Sequence, residues 1–267
     1  MGQMNKPFGR HVPASAMFES TGHREALARL RLMVENNYLG LLTGEVGSGK
    51  STLVRCLFEG LDSMRCQPVY ISSSCLRPRE FYSELLRCLG EVPPYSLVKA
   101  KRLWADVLTA RQEQGDKTLV IVVDEAQEMS EAMLAELRFL VSHQMDSCSL
   151  FPVILVGQSE LRRTLRLKKH EAIAQRISLQ YHLSGLALDE TREYVKHQMD
   201  TAGLTTPLFS DSAINRVHSA SQGIPRLINH FCSQALHDAD QRCSEVIEDT
   251  HISRVLADYE RQRGPTG

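Results

Sequence analysis

The sequence predicts an α/β fold, a parallel five-stranded sheet flanked by helices, followed by a small all-helical C-terminal domain. Three observations predict it. A short apolar run at 39–43 ends in a glycine-rich turn, Gly44-Glu45-Val46-Gly47-Ser48-Gly49-Lys50-Ser51-Thr52, which opens a helix. A second run at 118–123 is continuous, apolar and β-branched, the pattern of a central parallel strand buried on both faces. After Leu183 helical periodicity continues with no further strand.

Each element follows from local pattern. Residues 1–20 form a Pro/Gly/His-bearing lead-in expected on the surface. A helix starts near Thr21, with Leu27, Leu30 and Val34 at helical spacing, and ends around Asn36-Asn37 before the first strand. Beyond the glycine turn, Leu53, Val54, Leu57 and Phe58 give a helix face closed by Gly60. Residues 68–72 are short, β-rich and bounded by turn formers, which makes them a second strand. A helix with Phe81, Leu85 and Leu86 is broken by Gly90 and Pro93-Pro94, and another runs through Leu97, Leu103, Trp104 and Leu108. Ser130 can cap a helix whose buried edge is Met133, Leu134, Leu137, Leu140 and Val141. Residues 151–156 read as a fourth strand and 177–183 as a fifth. Strands alternating with helices imply a parallel sheet covered on both sides. The helices expected afterwards lie at about 189–201, 211–220, 224–239 and 249–262. Ile224, Leu227, Ile228, Phe231, Cys232, Ala235 and Leu236 line the third of them as a full apolar stripe. The expected division is 1–184 for the α/β nucleotide-binding domain and 185–267 for the helical lid.

Composition narrows the partners. The chain has 267 residues and a formal net charge of −1, so any polyanion site must be a local patch. Seven cysteines are scattered without metal-ligand spacing, which reads as reduced thiols of a cytoplasmic protein. The N-terminus lacks the apolar core of a signal peptide and no apolar run approaches membrane-spanning length, so no membrane partner is expected.

The chemistry sits in two motifs. Gly44, Gly49, Lys50 and Ser51 meet the spacing G-x-x-x-x-G-K-S, a phosphate cradle. Glycines let the backbone curl so that its N–H groups point inward, and the following helix N-terminus faces the same anion. Residues 44–52 are therefore the nucleotide-binding set. Lys50 would reach the β- and γ-phosphates and the Ser51 hydroxyl would ligate Mg²⁺. Asp124-Glu125 closes the 118–123 strand, at the carboxyl edge where ligands of parallel sheets bind. Asp124 is placed to hold Mg²⁺ through its water shell, and Glu125 to polarise an attacking water.

The set GEVGSGKST, VIVVDEAQ, ILVGQSEL, AQRI and GIPRLIN, in that order, resembles the AAA+ ATPases. More narrowly it is similar to the ExeA (general secretion pathway protein A) group and its relatives, the ATP-dependent helper proteins of bacterial transposons. The likeness runs from about Phe8 to Val255. It implies a P-loop NTPase with ATP and Mg²⁺ as cofactors. It also implies that Gln158 is the polar sensor aligning the attacking water, although a strand-end Gln can also be a simple cap. Arg176 falls where such proteins carry the finger entering a neighbour's site, although a surface Arg in a basic segment fits as well. Arg226 corresponds to the lid residue that contacts the γ-phosphate, and Gln127 to a support for the DEAQ acids.

Basic clusters remain. Arg77 and Arg79 follow the second strand, and Lys99, Lys101 and Arg102 lie further on. Oligomeric AAA+ proteins commonly turn this segment toward a central pore, so both clusters could follow a phosphate backbone. A third cluster, from Arg162 to His170, reads as a solvated charged face. The expectation is a cytoplasmic homo-oligomeric ATPase, ring or filament. It would bind duplex DNA without sequence preference and, as the resemblance implies, serve a transposase as a transposition helper. The chain stops at Gly267 soon after the lid, which favours that reading over the alternative, a soluble assembly ATPase of a secretion pathway. A nucleotide-gated signalling module without DNA is a third reading.

Overall fold

The computed structural model describes residues 7–9, 17–72, 77–140, 149–204 and 206–263. They group into two compact units. An α/β unit comprises Glu25–Gly44 and Lys50–Leu183, and a helical unit comprises Met1–Arg24, Glu45–Gly49 and Ser184–Gly267. The phosphate loop Glu45–Gly49 thus groups with the helices, while the residues flanking it group with the sheet.

The α/β unit holds the five expected parallel strands: β1 (Leu39–Gly44), β2 (Cys66–Ile71), β3 (Thr118–Val123), β4 (Val153–Gly157) and β5 (Ile177–Leu183). Their order is β2-β3-β4-β1-β5. Strand alternation explains why β3 is apolar throughout. Leu119, Ile121 and Val123 join the core on one face with Phe81, Trp104 and Met133, whereas Val122 joins the other with Leu30, Leu42 and Leu53. β2 is an edge strand and carries Pro68, a residue that sheets accept only at such edges.

The connecting helices are α1 (Thr21–Glu35), α2 (Lys50–Glu59), α3 (Pro78–Cys88), α4 (Leu97–Gln114), α5 (Glu131–Leu140), α6 (Ser159–Leu165) and α7 (Glu171–Ala174). α4 stops at Gly115, which takes the left-handed conformation at φ 68° that a side chain would resist. Ser130 Oγ accepts the Met133 N–H at 3.2 Å, the expected cap of α5, whereas Val141 lies outside the described residues. The second strand begins two residues earlier than its apolar signal, at Cys66. Neither α6 nor α7 was expected. Leu161 and Leu165, one turn apart, bury the inner edge of α6 in a segment otherwise read as a charged face.

The helical unit contains α8 (Leu188–Thr201), α9 (Asp211–Ser221), α10 (Pro225–Gln241) and α11 (Asp249–Arg263). Val195, Val217, Ile228, Phe231, Cys232, Ala235 and Ile252 form its core, joined by Phe8 from the lead-in. Ser210 Oγ caps α9 through the Ala213 N–H at 3.2 Å, and Pro225 opens α10 where a missing N–H costs nothing. Arg254 Nη2 donates to Asp238 Oδ2 at 2.7 Å, tying α11 to α10. Among the described residues no helix is long and apolar enough to cross a membrane, and no His/Cys/Asp/Glu cluster could hold a metal.

Candidate functional site

In the α/β unit the carboxyl ends of β1 and β3 bring Ser51 to Asp124, with Lys50 and Glu125 as their chain neighbours. Lys50 starts α2, is buried, and its Nζ donates to Gly44 O at 2.8 Å, folding the side chain back over the end of β1. Ser51 Oγ donates to Asp124 Oδ2 at 3.4 Å, and Tyr70 on β2 donates its hydroxyl to the same oxygen at 2.6 Å. The Glu125 N–H donates to Asp124 Oδ1 at 2.8 Å, so both oxygens of this buried carboxylate are occupied. Burial, followed by the bond to Asp124, pushes the Tyr70 phenol well above its ordinary value, so it keeps its proton and donates a hydrogen bond.

Glu125 stands at φ 52°, a left-handed conformation uncommon for a residue with a side chain. Its carboxylate is held by Gln127, whose Nε2 donates to Glu125 Oε2 at 2.6 Å. The other end of the same amide, Gln127 Oε1, accepts the backbone N–H of Gln158 at 3.0 Å. Gln127 therefore ties the proposed base to the end of β4. A Cβ on Gly157 would come within 2.9 Å of Gln127 Oε1, so that glycine leaves room for the bridge. Arg176 lies apart from this group at the end of α7, where its Nη1 donates to Ala172 O at 2.9 Å.

In the helical unit the phosphate loop is gripped at its glycines. Gly47 has φ 87°, its carbonyl accepts the Arg226 N–H at 3.2 Å, and a Cβ there would lie 2.4 Å from Arg226 Cβ. Gly49 has φ 105°, and a Cβ there would lie 2.5 Å from His23 Nε2. His23 is 6 % exposed, its Nδ1 is 2.7 Å from Ser20 Oγ, and its ring bonds the backbone of Ser48. Burial lowers its pKa below the ordinary imidazole value, against the opposing pull of Ser48 and Glu190. Ser48 Oγ is buried with no hydrogen-bond partner among the described residues, an orphan hydroxyl on a loop whose backbone curls around an anion-sized turn. No local feature of the sequence singles out His23 within the lead-in, because the loop residue it bonds, Ser48, lies 25 positions away.

These residues suit a Mg²⁺-nucleotide. Ser51 Oγ and Asp124 Oδ2 are hard oxygen donors within reach of one small cation, and the lysine and curled loop supply anion-binding groups. Ser51 and Asp124 would hold the Mg²⁺, which would supply positive charge against the charge developing on the phosphates.

The basic clusters are divided. Arg77, Lys99 and Arg102 are exposed. Arg79 Nε donates to Tyr95 O at 2.7 Å and its guanidinium lies 4.7 Å from the Tyr95 ring centroid, so it holds the turn before α4. Lys101 Nζ pairs with Glu136 at 2.7 Å, in a network that also receives the Tyr82 hydroxyl at 2.9 Å. Their charges are committed within the fold.

A glycine-curled loop between strand and helix, followed by its lysine and a Ser–Asp pair, is the signature of a P-loop nucleotide site. The AAA domain family matches residues 32–165, half of the chain, and the protein belongs to that family. It is an ATP-hydrolysing enzyme with Mg²⁺ as cofactor. Over 264 residues it is 35 % identical to general secretion pathway protein A of Aeromonas hydrophila, an alignment covering 97 % of this chain and 47 % of that protein. The chain thus spans about half the length of the curated relative it matches. Among solved structures it resembles Cdc6p of Pyrobaculum aerophilum (TM-score 0.64, 15 % identity, 90 % of this chain and 67 % of that one). It also resembles ORC1 of Aeropyrum pernix, solved in complex with DNA (TM-score 0.60, 16 % identity, 92 % and 68 %). The RuvB Holliday junction branch migration motor of Thermotoga maritima is similar at TM-score 0.57 and 16 % identity, covering 88 % and 68 %. At these identities the likeness is one of fold.

Proposed function

We propose that this chain is the ATPase module of an assembly machine of the general secretion protein A type, working as a homo-oligomer with ATP held between copies. The observation carrying this reading is the 35 % identity sustained over 97 % of the chain, loop and lid included. In the reaction, Lys50 and the loop amides bind the phosphates while Ser51 and Asp124 hold the metal. Glu125, steered by Gln127, takes up the proton of the attacking water, and Gln158 aligns that water. Arg176 of one copy serves the site of the next, where a guanidinium delivered in trans is worth about 10³–10⁵ in rate. Arg226, packed on Gly47, makes the lid responsive to what the loop holds.

A second reading, duplex-DNA binding as a transposition helper, is supported by the exposed cations Arg77, Lys99 and Arg102. Light scattering with Mg²⁺ and a non-hydrolysable ATP analogue tests assembly. Mixing Arg176→Ala with Lys50→Ala chains should restore part of the turnover that each lacks alone. A protein that stays monomeric with nucleotide, or mixtures that stay dead, would refute the in-trans site. Gel shifts across a salt series separate the two readings, because nucleotide-dependent DNA binding that weakens steeply with salt selects the helper role.

A further inference from the structure

The residue left without a role in this chemistry is Tyr70. In the β2–β3 register it stands opposite Val122. Asp124 lies two positions beyond Val122 and so on the same side of the sheet, the side that α2 covers. A tyrosine is long enough to span that diagonal. Its hydroxyl makes the shortest contact to Asp124, 2.6 Å to Oδ2, against 3.4 Å for Ser51 Oγ on the same oxygen. The other oxygen is taken by a backbone amide that cannot leave. Asp124 is 5 % exposed, and a buried anion needs donors when no cation is bound. The phenol is the one donor of the three able to leave easily. Tyr70 is 44 % exposed, outside the buried core, and meets Phe58 of α2 edge-on with ring centroids 6.4 Å apart, so it can swing into solvent without opening the core.

We infer that Tyr70 is a gate on the metal site: its hydroxyl occupies Asp124 Oδ2 in the metal-free protein and is displaced when the hydrated Mg²⁺ claims that oxygen. Tyr70 is a positioning residue, and its cost is a weaker hold on Mg²⁺. The gate rests on the reading of Asp124 as the metal-holding acid. It also ties metal occupancy to the end of the edge strand that leads toward Arg77.

The test is the Mg²⁺ dependence of fluorescent ADP binding at equilibrium, without turnover, in the wild type, Tyr70→Phe and Asp124→Asn. Tyr70→Phe keeps the ring against Phe58 and removes only the competing donor. The Mg²⁺ concentration giving half the maximal effect should fall about tenfold, the worth of one hydrogen bond to a charged group. Binding in chelator should be unchanged. The wild type should give a tyrosine ultraviolet difference signal on Mg²⁺ addition that Tyr70→Phe lacks. An unchanged or higher Mg²⁺ requirement in Tyr70→Phe, with Asp124→Asn insensitive to Mg²⁺, would overturn the gate alone. Normal Mg²⁺ dependence in Asp124→Asn would overturn the metal assignment, and the gate with it.

Discussion

Replacing Gly47 by alanine probes how the lid holds the phosphate loop. Gly47 has φ 87°, and an added Cβ would lie 2.4 Å from Arg226 Cβ and 3.1 Å from its Cδ. The left-handed backbone costs an alanine about 1–2 kcal/mol. The clash adds about 1–3 kcal/mol, because a Cβ is fixed to the backbone of α10 and cannot rotate aside as a side-chain tip would. Together the substitution should destabilise the helical unit by about 2–5 kcal/mol, which for a chain of this size lowers the melting temperature by roughly 5–15 °C. Scanning calorimetry of the nucleotide-free protein reads the shift, and fluorescent ATP binding reads the loss of the curled loop. A double-mutant cycle with Arg226→Gly separates the two costs. Removing the facing Cβ should return the packing part, a coupling of about 1–3 kcal/mol, and leave the backbone strain. Gly47→Ala melting and binding like the wild type, or a cycle with no coupling, would refute the contact as the source of the loop's rigidity.

Four other outcomes follow from the same geometry. If Lys50 binds phosphate as proposed, Lys50→Ala should weaken ATP binding about 10–100-fold by equilibrium fluorescence, the worth of a charged donor that Gly44 O holds in this structure. Glu125→Gln should bind ATP normally and turn it over about 10²–10⁴-fold more slowly, measured by phosphate release. His23 has its folded pKa below the ordinary 6.5, so the stability it contributes is full above that value and is lost as pH falls through the folded pKa. Melting curves from pH 7.5 downward (about two pH units, chosen to bracket that range) should decline less steeply in His23→Asn than in the wild type. Arg254 beside Asp238 holds that carboxyl below its usual range, so the α10–α11 tie persists above the carboxylate range and is lost in acid. Asp238→Asn should remove that part of the acid transition of the helical unit, followed by circular dichroism.

The periodic features were legible. The run at 118–123 announced a strand buried on both faces, and the stripe from Ile224 to Leu236 announced α10, because burial on two faces or one stripe leaves a mark every second or every third to fourth residue. The loop and the Asp-Glu pair were legible because their spacing is the chemistry. What escaped depends on distance in the sequence. α6 has only Leu161 and Leu165 to betray it among five cations from 162 to 169, so charge outweighed period. The commitment of Lys101 to Glu136, and of Arg79 to the Tyr95 turn, is set by tertiary packing, and no local rule distinguishes them from the exposed Lys99 and Arg102. Tyr70 meets Asp124 only through the register of two strands 54 positions apart. The expected transposase partner came from the family resemblance, whereas the 35 % identity over 97 % of the chain is to a secretion protein.

Pro68 in the outer strand limits what can pair with that edge. An edge strand normally offers a row of amide hydrogens onto which a foreign strand can zip, and a proline removes one from the middle of that row. Growth by adding strand to strand is therefore blocked on the β2 side. A contact made there would have to rest on side-chain shape and charge, which would leave it reversible where a continuous sheet would lock.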